Sequence, residues 1–255
     1  MRASLVSWKE LTERIRTPFC RFNNSILTAV NEILSKITIS EANVLILFFL
    51  GIFILILISK RMLKKKSPAY LKLISLYIFL MILQIAFGLY FIFANSHHRG
   101  KQSPINVSGY IFIVFEYGMF AILLSNFIKL IIIKKYLLYS CILFPLIAIA
   151  IWFLIPSFAR VVSVLNAIES ISLIPFCLYY FFELLRNPTS VRLTEQPSFW
   201  ITTGILFLFI CITPYYIAYD YFKKVPQMQI IDYIGYDLLV LFLAKGSFIN
   251  SQRNG

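Results

Sequence analysis

The sequence predicts an all-α protein: a polytopic integral membrane helical bundle of about seven transmembrane helices, with an amphipathic N-terminal segment. Three observations predict it. Hydrophobic residues make up 60% of the chain and charged residues only 14%, against about 45–50% and about 25% in soluble domains. Apolar runs long enough to cross a hydrocarbon core of about 30 Å recur along most of the length. Short connectors that hold many of the basic residues separate these runs, and aromatic residues reach 17%. Little of the 255 residues is left for a soluble domain of the usual ~50 residues or more. The expected organisation is an N-terminal interfacial segment over 1–40, a transmembrane domain over 41–250 and a short tail over 251–255.

In residues 1–40, Ile15, Phe19, Phe22, Ile26, Val30, Ile33 and Ile37 recur at threes and fours, a helical apolar stripe. Asn23, Asn24, Asn31, Glu32 and Lys36 interrupt it, so a helix lying in the membrane interface is expected rather than a span. A secretory signal peptide is not expected, because the first long apolar run starts only near Asn43. Span 1 covers about Asn43 to Ser59 and ends in Lys60, Arg61, Lys64, Lys65 and Lys66. Span 2 covers Ala69 to Ala94, and its connector holds His97, His98, Arg99 and Lys101. Span 3 covers Ile105 to Ile128, and Lys134 and Lys135 mark the turn after it. Spans 4 and 5 cover about Tyr136 to Ile155 and Val161 to Leu184. Span 6 covers Phe199 to Tyr219, and span 7 Met228 to Ile249.

Pro145, Pro175 and Pro214 fall inside spans 4, 5 and 6, where membrane bundles tolerate the lost backbone hydrogen bond. Trp152, Trp200, Tyr179, Tyr180, Tyr215, Tyr216, Tyr219 and Tyr221 fall near span ends. They read as an aromatic belt at the membrane surface, not as a ligand cage.

Charge sets the expected topology. The net charge is +13, but many basic residues sit between apolar runs, where they orient a membrane protein and meet phospholipid. A nucleic-acid partner is therefore excluded, and the lipid bilayer is the expected one. The connectors after spans 1, 3 and 5 hold ten Lys and Arg, those after spans 2, 4 and 6 five. This bias predicts a multi-pass protein of the bacterial inner membrane with its N-terminus outside and its C-terminus cytoplasmic.

The candidate site residues are polar groups at membrane depth. A charged group at the bilayer centre costs about 2.5–3.5 kcal/mol on insertion scales. Glu116 lies near the middle of span 3. Ser163, Asn166, Glu169 and Ser170 of span 5 are spaced by threes and fours, so they share one helix face. Asp237 lies halfway along span 7, which also carries Asp232 and, near the inner face, Lys245, placed to snorkel. Two arrangements satisfy Glu116, Glu169 and Asp237. Either they are held neutral or hydrogen-bonded, with Ser163, Asn166 and the hydroxyls of Thr202, Thr203 and Thr213 as candidate partners, or they line a hydrated cavity that binds a cation or relays protons. The threonines have a second use, returning bonds to their own helix.

No catalytic, cofactor-binding or metal-ligand motif is found. Cys20, Cys141, Cys177 and Cys211 are scattered and read as small packing residues. His97–His98 reads as loop. Asn23-Asn24-Ser25 and Asn106-Val107-Ser108 match the glycosylation acceptor triplet. An enzyme is not expected.

Tyr110–Asn126, Ile168–Pro188 and Glu195-Gln196-Pro197-Ser198-Phe199-Trp200-Ile201-Thr202-Thr203-Gly204-Ile205-Leu206 resemble an uncharacterised family of seven-span membrane proteins from Bacteroidetes-type bacteria. The resemblance implies a glutamate inside the third span, another inside the fifth, and tyrosine-rich and Ser-Phe-Trp-Ile boundaries. These features fall on Glu116, Glu169, Tyr180 to Pro188, and Ser198 to Leu206. In span 7 the family pattern has a histidine and asparagines where this chain has Asp232, Tyr236 and Asp237. The family brings no established activity; by analogy its members look like sensor-type modules without a kinase output. Two functions remain open. One is a receptor-like or scaffold module that binds a small ligand, or a membrane or cytoplasmic protein. The other is a proton- or cation-coupled transporter or channel. An intramembrane enzyme acting on lipid ranks last.

Overall fold

The computed structural model describes residues 39–62, 68–94, 104–186, 192–219 and 229–249. The chain divides into two units, 1–42 and 43–255. Of the first, only the opening turn of the first helix is described. The expected interfacial helix, Cys20, the Asn23 triplet, Lys64–Lys66, His97–His98, Lys101, Tyr221 and the tail 251–255 all lie outside the described residues.

Among the described residues there are seven α-helices and one short 3-10 helix. In order they are α1 (Ile39–Met62), α2 (Ala69–Ala94), α3 (Pro104–Phe127), α4 (Ile131–Leu154), α5 (Phe158–Arg186), α6 (Pro197–Ile217) and α7 (Gln229–Ile249), with the 3-10 turn Leu193–Glu195 leading into α6. Long runs of Leu, Ile and Phe favour this outcome, because in hydrocarbon only a helix or a closed barrel satisfies every backbone group internally. Pro104 and Pro197 stand at first helical positions, where the missing N–H is no loss. Pro145, Pro175 and Pro214 all lie within continuous helices.

Five of the seven helices, α2 to α6, are long and apolar enough to cross a membrane. That makes the chain a multi-pass helical membrane protein. The apolar part of α1 is shorter, Val44–Lys60. Asp232, Asp237 and Lys245 lower the apolarity of α7.

One boundary departs from expectation. Lys134 and Lys135 belong to the first turns of α4, not to a connector. The reversal after α3 uses only residues 128–130, so Ile131–Ile133 start the next helix.

α3 is the hub of the bundle and packs on α2, α4, α5 and α6; the closest pairing is α6 on α7. Buried side chains concentrate on α3, α5 and α6: Tyr117, Phe120, Leu123, Leu124, Leu165, Leu173, Leu208 and Phe209 are all inaccessible or nearly so. α4 buries a single stripe, Leu137, Phe144 and Ala148. Its other faces expose Ile131, Tyr139, Ile142, Leu146, Ile149 and Phe153. A continuous apolar surface of this kind suits lipid contact and would be a liability in water.

Close approach of α6 and α7 depends on glycine. A Cβ at Gly204 would stand 2.7 Å from Phe242 Cβ. One at Gly246 would stand 2.8 Å from Ile201 Cγ1 and 2.9 Å from the Pro197 carbonyl. Small residues at such seams let membrane helices pack without a hydrophobic driving force. Aromatic pairs fill the rest of the core, including a stacked Tyr117–Phe144 pair with centroids 4.0 Å apart.

Candidate functional site

Glu116 lies midway along α3 and is 2% exposed. Two tyrosines from other helices satisfy it. Tyr77 of α2 donates to Oε1 at 2.7 Å, and Tyr236 of α7 donates to Oε2 at 3.1 Å. The carboxyl therefore ties three helices together. Tyr77 is itself fully buried against Phe120, with centroids 4.9 Å apart.

Glu169 of α5 is fully buried, and neither of its carboxyl oxygens has a hydrogen-bond partner. It lies close enough to Glu116 to interact with it electrostatically.

The remaining hydroxyl and amide candidates that have a partner bond to backbone carbonyls, which for Thr203 and Thr213 is the second of their two expected uses. Ser163 donates to the Tyr216 carbonyl at 2.9 Å, joining α5 to α6. Asn166 donates to the Val162 carbonyl at 2.9 Å, and Ser170 to the Asn166 carbonyl at 2.7 Å. Thr203 and Thr213 return their hydroxyls to the carbonyls of Phe199 and Phe209, while the buried Thr202 hydroxyl has no partner. None of these groups donates to an acid; the tyrosines do. The physical reason is reach. Asn166, Ser170, Thr203 and Thr213 find the carbonyl four residues earlier on their own helix, Ser163 reaches a backbone carbonyl of the adjoining α6, and the phenols span the gap to Glu116.

Asp237 of α7 is half-buried; its Oδ1 has no partner, and it makes no hydrogen bond to Glu116. Asp232, in the first turn of α7, is the acid of this helix that bonds to a neighbouring helix. Its Oδ2 accepts from Tyr216 at 2.9 Å, its Oδ1 has no partner, and it interacts electrostatically with Glu116. Tyr216 therefore works inside the bundle rather than in the aromatic belt. Lys245 does lie near the end of its helix, with its ammonium 5.7 Å from the centroid of the Trp200 ring.

These groups surround a cavity of about 350 Å³. Its apolar lining includes Leu47, Met81, Ile85, Phe112 and Ile113; its polar lining includes Gln84, Asn166, Tyr216, Asp232, Tyr233 and Tyr236. The lining comes from the middle of α2, the first halves of α1, α3 and α7, the start of α5 and the end of α6. All of it lies in the half of the bundle next to the α2–α3 connection. Tyr236 forms both cavity wall and Glu116 partner, so Glu116 stands directly behind the wall. The opposite half is packed with Leu123, Leu124, Leu173, Cys177, Ile205 and Phe209. Below Glu169 that half holds no buried carboxyl among the described residues.

The site can bind and orient a small molecule and hold a proton at a carboxyl. Among the described residues no three His, Cys, Asp or Glu side chains gather to hold a metal ion. Sequence reasoning missed Asp232, Tyr236 and Tyr216 as site residues. One signal was present: Asp232 and Tyr236 are four apart and share a helix face, while Asp237, five from Asp232, is turned about 140° away.

Comparison with family models, with curated proteins and with solved structures returned no significant match.

Proposed function

We propose that this chain is a receptor-like membrane module whose cavity binds a small ligand. The single observation that carries the reading is the cavity of about 350 Å³ with Asp232, Tyr216 and Tyr236 on its wall and Glu116 behind it. Its size suits a small molecule, and a mostly apolar lining with a few converging polar groups is the usual composition of a ligand site. The cavity is confined to one half of the bundle, with a densely packed apolar half beyond it, an arrangement that favours binding over passage. Tyr236 gives the ligand a mechanical link: a molecule that displaces its hydroxyl changes the contact between α7 and α3.

The finer description belongs to the same proposal. All seven helices span the bacterial inner membrane, the N-terminus lies outside, and the cavity faces outward. The basic connectors face the cytoplasm, where a partner protein would receive the signal. Membership of the seven-span family is supported by the quoted motifs alone.

One observation favours a second reading, proton- or cation-coupled transport. Glu169 is fully buried beside Glu116 with both oxygens unpartnered, as expected of a group that exchanges a proton. Proton flux in liposomes that Glu116→Gln and Glu169→Gln both abolish would favour transport; equal flux in wild type and both variants would end it.

The test of the receptor reading is a fragment screen by thermal shift on the purified protein, repeated on Gly109→Leu and Gly88→Leu. Gly109 lines the cavity, and a Cβ there meets only the Gln84 side-chain amide, at 3.9 Å, so the backbone accepts a side chain that takes up cavity space. Gly88 is not part of the lining, and nothing stands within 4 Å of a Cβ there. Hits lost in Gly109→Leu and kept in Gly88→Leu support the reading. Hits that survive both substitutions, or no hits at all, contradict it.

A further inference from the structure

The chemistry of the cavity wall narrows the ligand class, and this step rests on the ligand-binding reading above. Asp232 is the one ionisable acid or base other than tyrosine in the lining among the described residues. Its Oδ2 accepts from Tyr216, and its Oδ1 is fully enclosed by protein, with no hydrogen-bond partner and no surface open to the cavity. A second carboxyl, Glu116, lies within electrostatic reach of Asp232. No lysine, arginine or histidine lines the cavity among the described residues. The rings of Phe112, Tyr216, Tyr233 and Tyr236 make up the aromatic part of the wall.

Each ligand class meets this wall differently. An anion would face a carboxyl with no cation among the described residues to receive it. A neutral donor can bond to the carboxyl but leaves its charge unbalanced. A cation meets both demands. Its N–H groups donate to the Asp232 carboxyl, and the aromatic faces attract its charge. The apolar remainder, Leu47, Met81, Ile85 and Ile113, suits a hydrocarbon body attached to the charge.

We infer that the cavity takes a small organic amine in its ammonium form, with the ammonium on Asp232 and the hydrocarbon end against the apolar wall. The amine comes either from water as a free molecule or from the bilayer as an ethanolamine headgroup. The two sources share the ammonium that Asp232 reads.

The test uses the full chain in nanodiscs of phosphatidylglycerol with three probes of one shape: phenethylammonium, 2-phenylethanol and phenylpropionate. Affinity is measured by calorimetry on wild type, Asp232→Asn and Gly109→Leu. Wild type binds the ammonium at least tenfold more tightly than the alcohol, and the carboxylate does not bind. Asp232→Asn loses that preference while still binding the alcohol. If Asp232→Asn does not fold, the wild-type comparison alone decides. Equal affinity for ammonium and alcohol, a preference that survives Asp232→Asn, or no binding of the ammonium overturns the inference. If the alcohol binds as well as the ammonium and Gly109→Leu abolishes it, the cation inference fails while the ligand-binding reading stands. A repeat with phosphatidylethanolamine in the bilayer separates the sources. Weaker probe binding there assigns the site to a headgroup, and unchanged binding assigns it to a free amine.

Discussion

Tyr236 of α7 donates to Glu116 of α3 across 3.1 Å, and the same tyrosine forms part of the cavity wall. One side chain therefore connects the space a ligand would fill to the most deeply placed hydrogen-bonded carboxyl of the bundle. Any molecule that competes for the Tyr236 hydroxyl also alters how Glu116 is satisfied.

Removing either phenol should weaken the bundle, and the two losses should not add. Tyr77→Phe and Tyr236→Phe each delete one donor to Glu116 and leave the other in place. Each is expected to cost about 1–2 kcal/mol, in the range for buried hydrogen bonds in membrane proteins. The double variant strands the carboxyl and should cost more than the sum. Denaturant unfolding of the four proteins in mixed micelles measures this, and strict additivity would mean that the two tyrosines do not share one acceptor.

Glu169 should behave in the opposite way. Because both of its oxygens are buried and unpartnered, the carboxyl costs desolvation and gains no direct bond in return. Glu169→Met, close in volume and apolar, is expected to raise stability by about 1–3 kcal/mol. A residue that destabilises the protein it stands in usually has another task. A loss of stability in Glu169→Met would show that the native carboxyl has a partner and would remove the motive for the transport reading.

The α6–α7 seam should reject even one added carbon. Gly246→Ala places a Cβ against both the Ile201 side chain and the Pro197 backbone oxygen, and a backbone atom cannot turn aside as a flexible side chain can. The expected cost is about 1–3 kcal/mol. Gly88→Ala, with open space around its Cβ, should be neutral or slightly stabilising, by up to about 1 kcal/mol. Unfolding midpoints of the two variants, measured side by side, check the contrast.

The helices were legible because membrane depth imposes a length and a composition that short-range reading detects. Span 2 coincides with α2, and span 3 lies one residue from α3 at each end. The start of α4 was misplaced because Lys134 and Lys135 look like a connector, and only the three-residue reversal at 128–130 reveals otherwise. The site was legible in part. A carboxyl at membrane depth stands out in any sequence, so Glu116 and Glu169 could be singled out. Their partners could not, since phenols near span ends serve as belt residues and as interior donors alike. Tyr77 and Tyr236 lie well inside their helices, but their contact with Glu116 depends on how those helices are rotated, and helix rotation is set by packing between segments far apart in the chain. Asp237 and Asp232 could not be told apart for the same reason: depth is legible in the sequence, and rotation is not.

The most direct measurement is labelling of single cysteines by a membrane-impermeant maleimide, applied to intact cells and to inverted vesicles. The four native cysteines are first replaced by alanine, and cysteine is then placed at Gly109 or Ile113 on the cavity wall, or at Leu124 or Phe209 in the packed half. A water-accessible cavity open to the outside predicts rapid labelling of positions 109 and 113 in intact cells, and protection of position 109 by a ligand from the screen. It predicts no labelling of positions 124 and 209 from either side. Labelling of all four positions would contradict a one-sided cavity and point to a through-going path; no labelling at 109 or 113 from either side would contradict the cavity as a binding site.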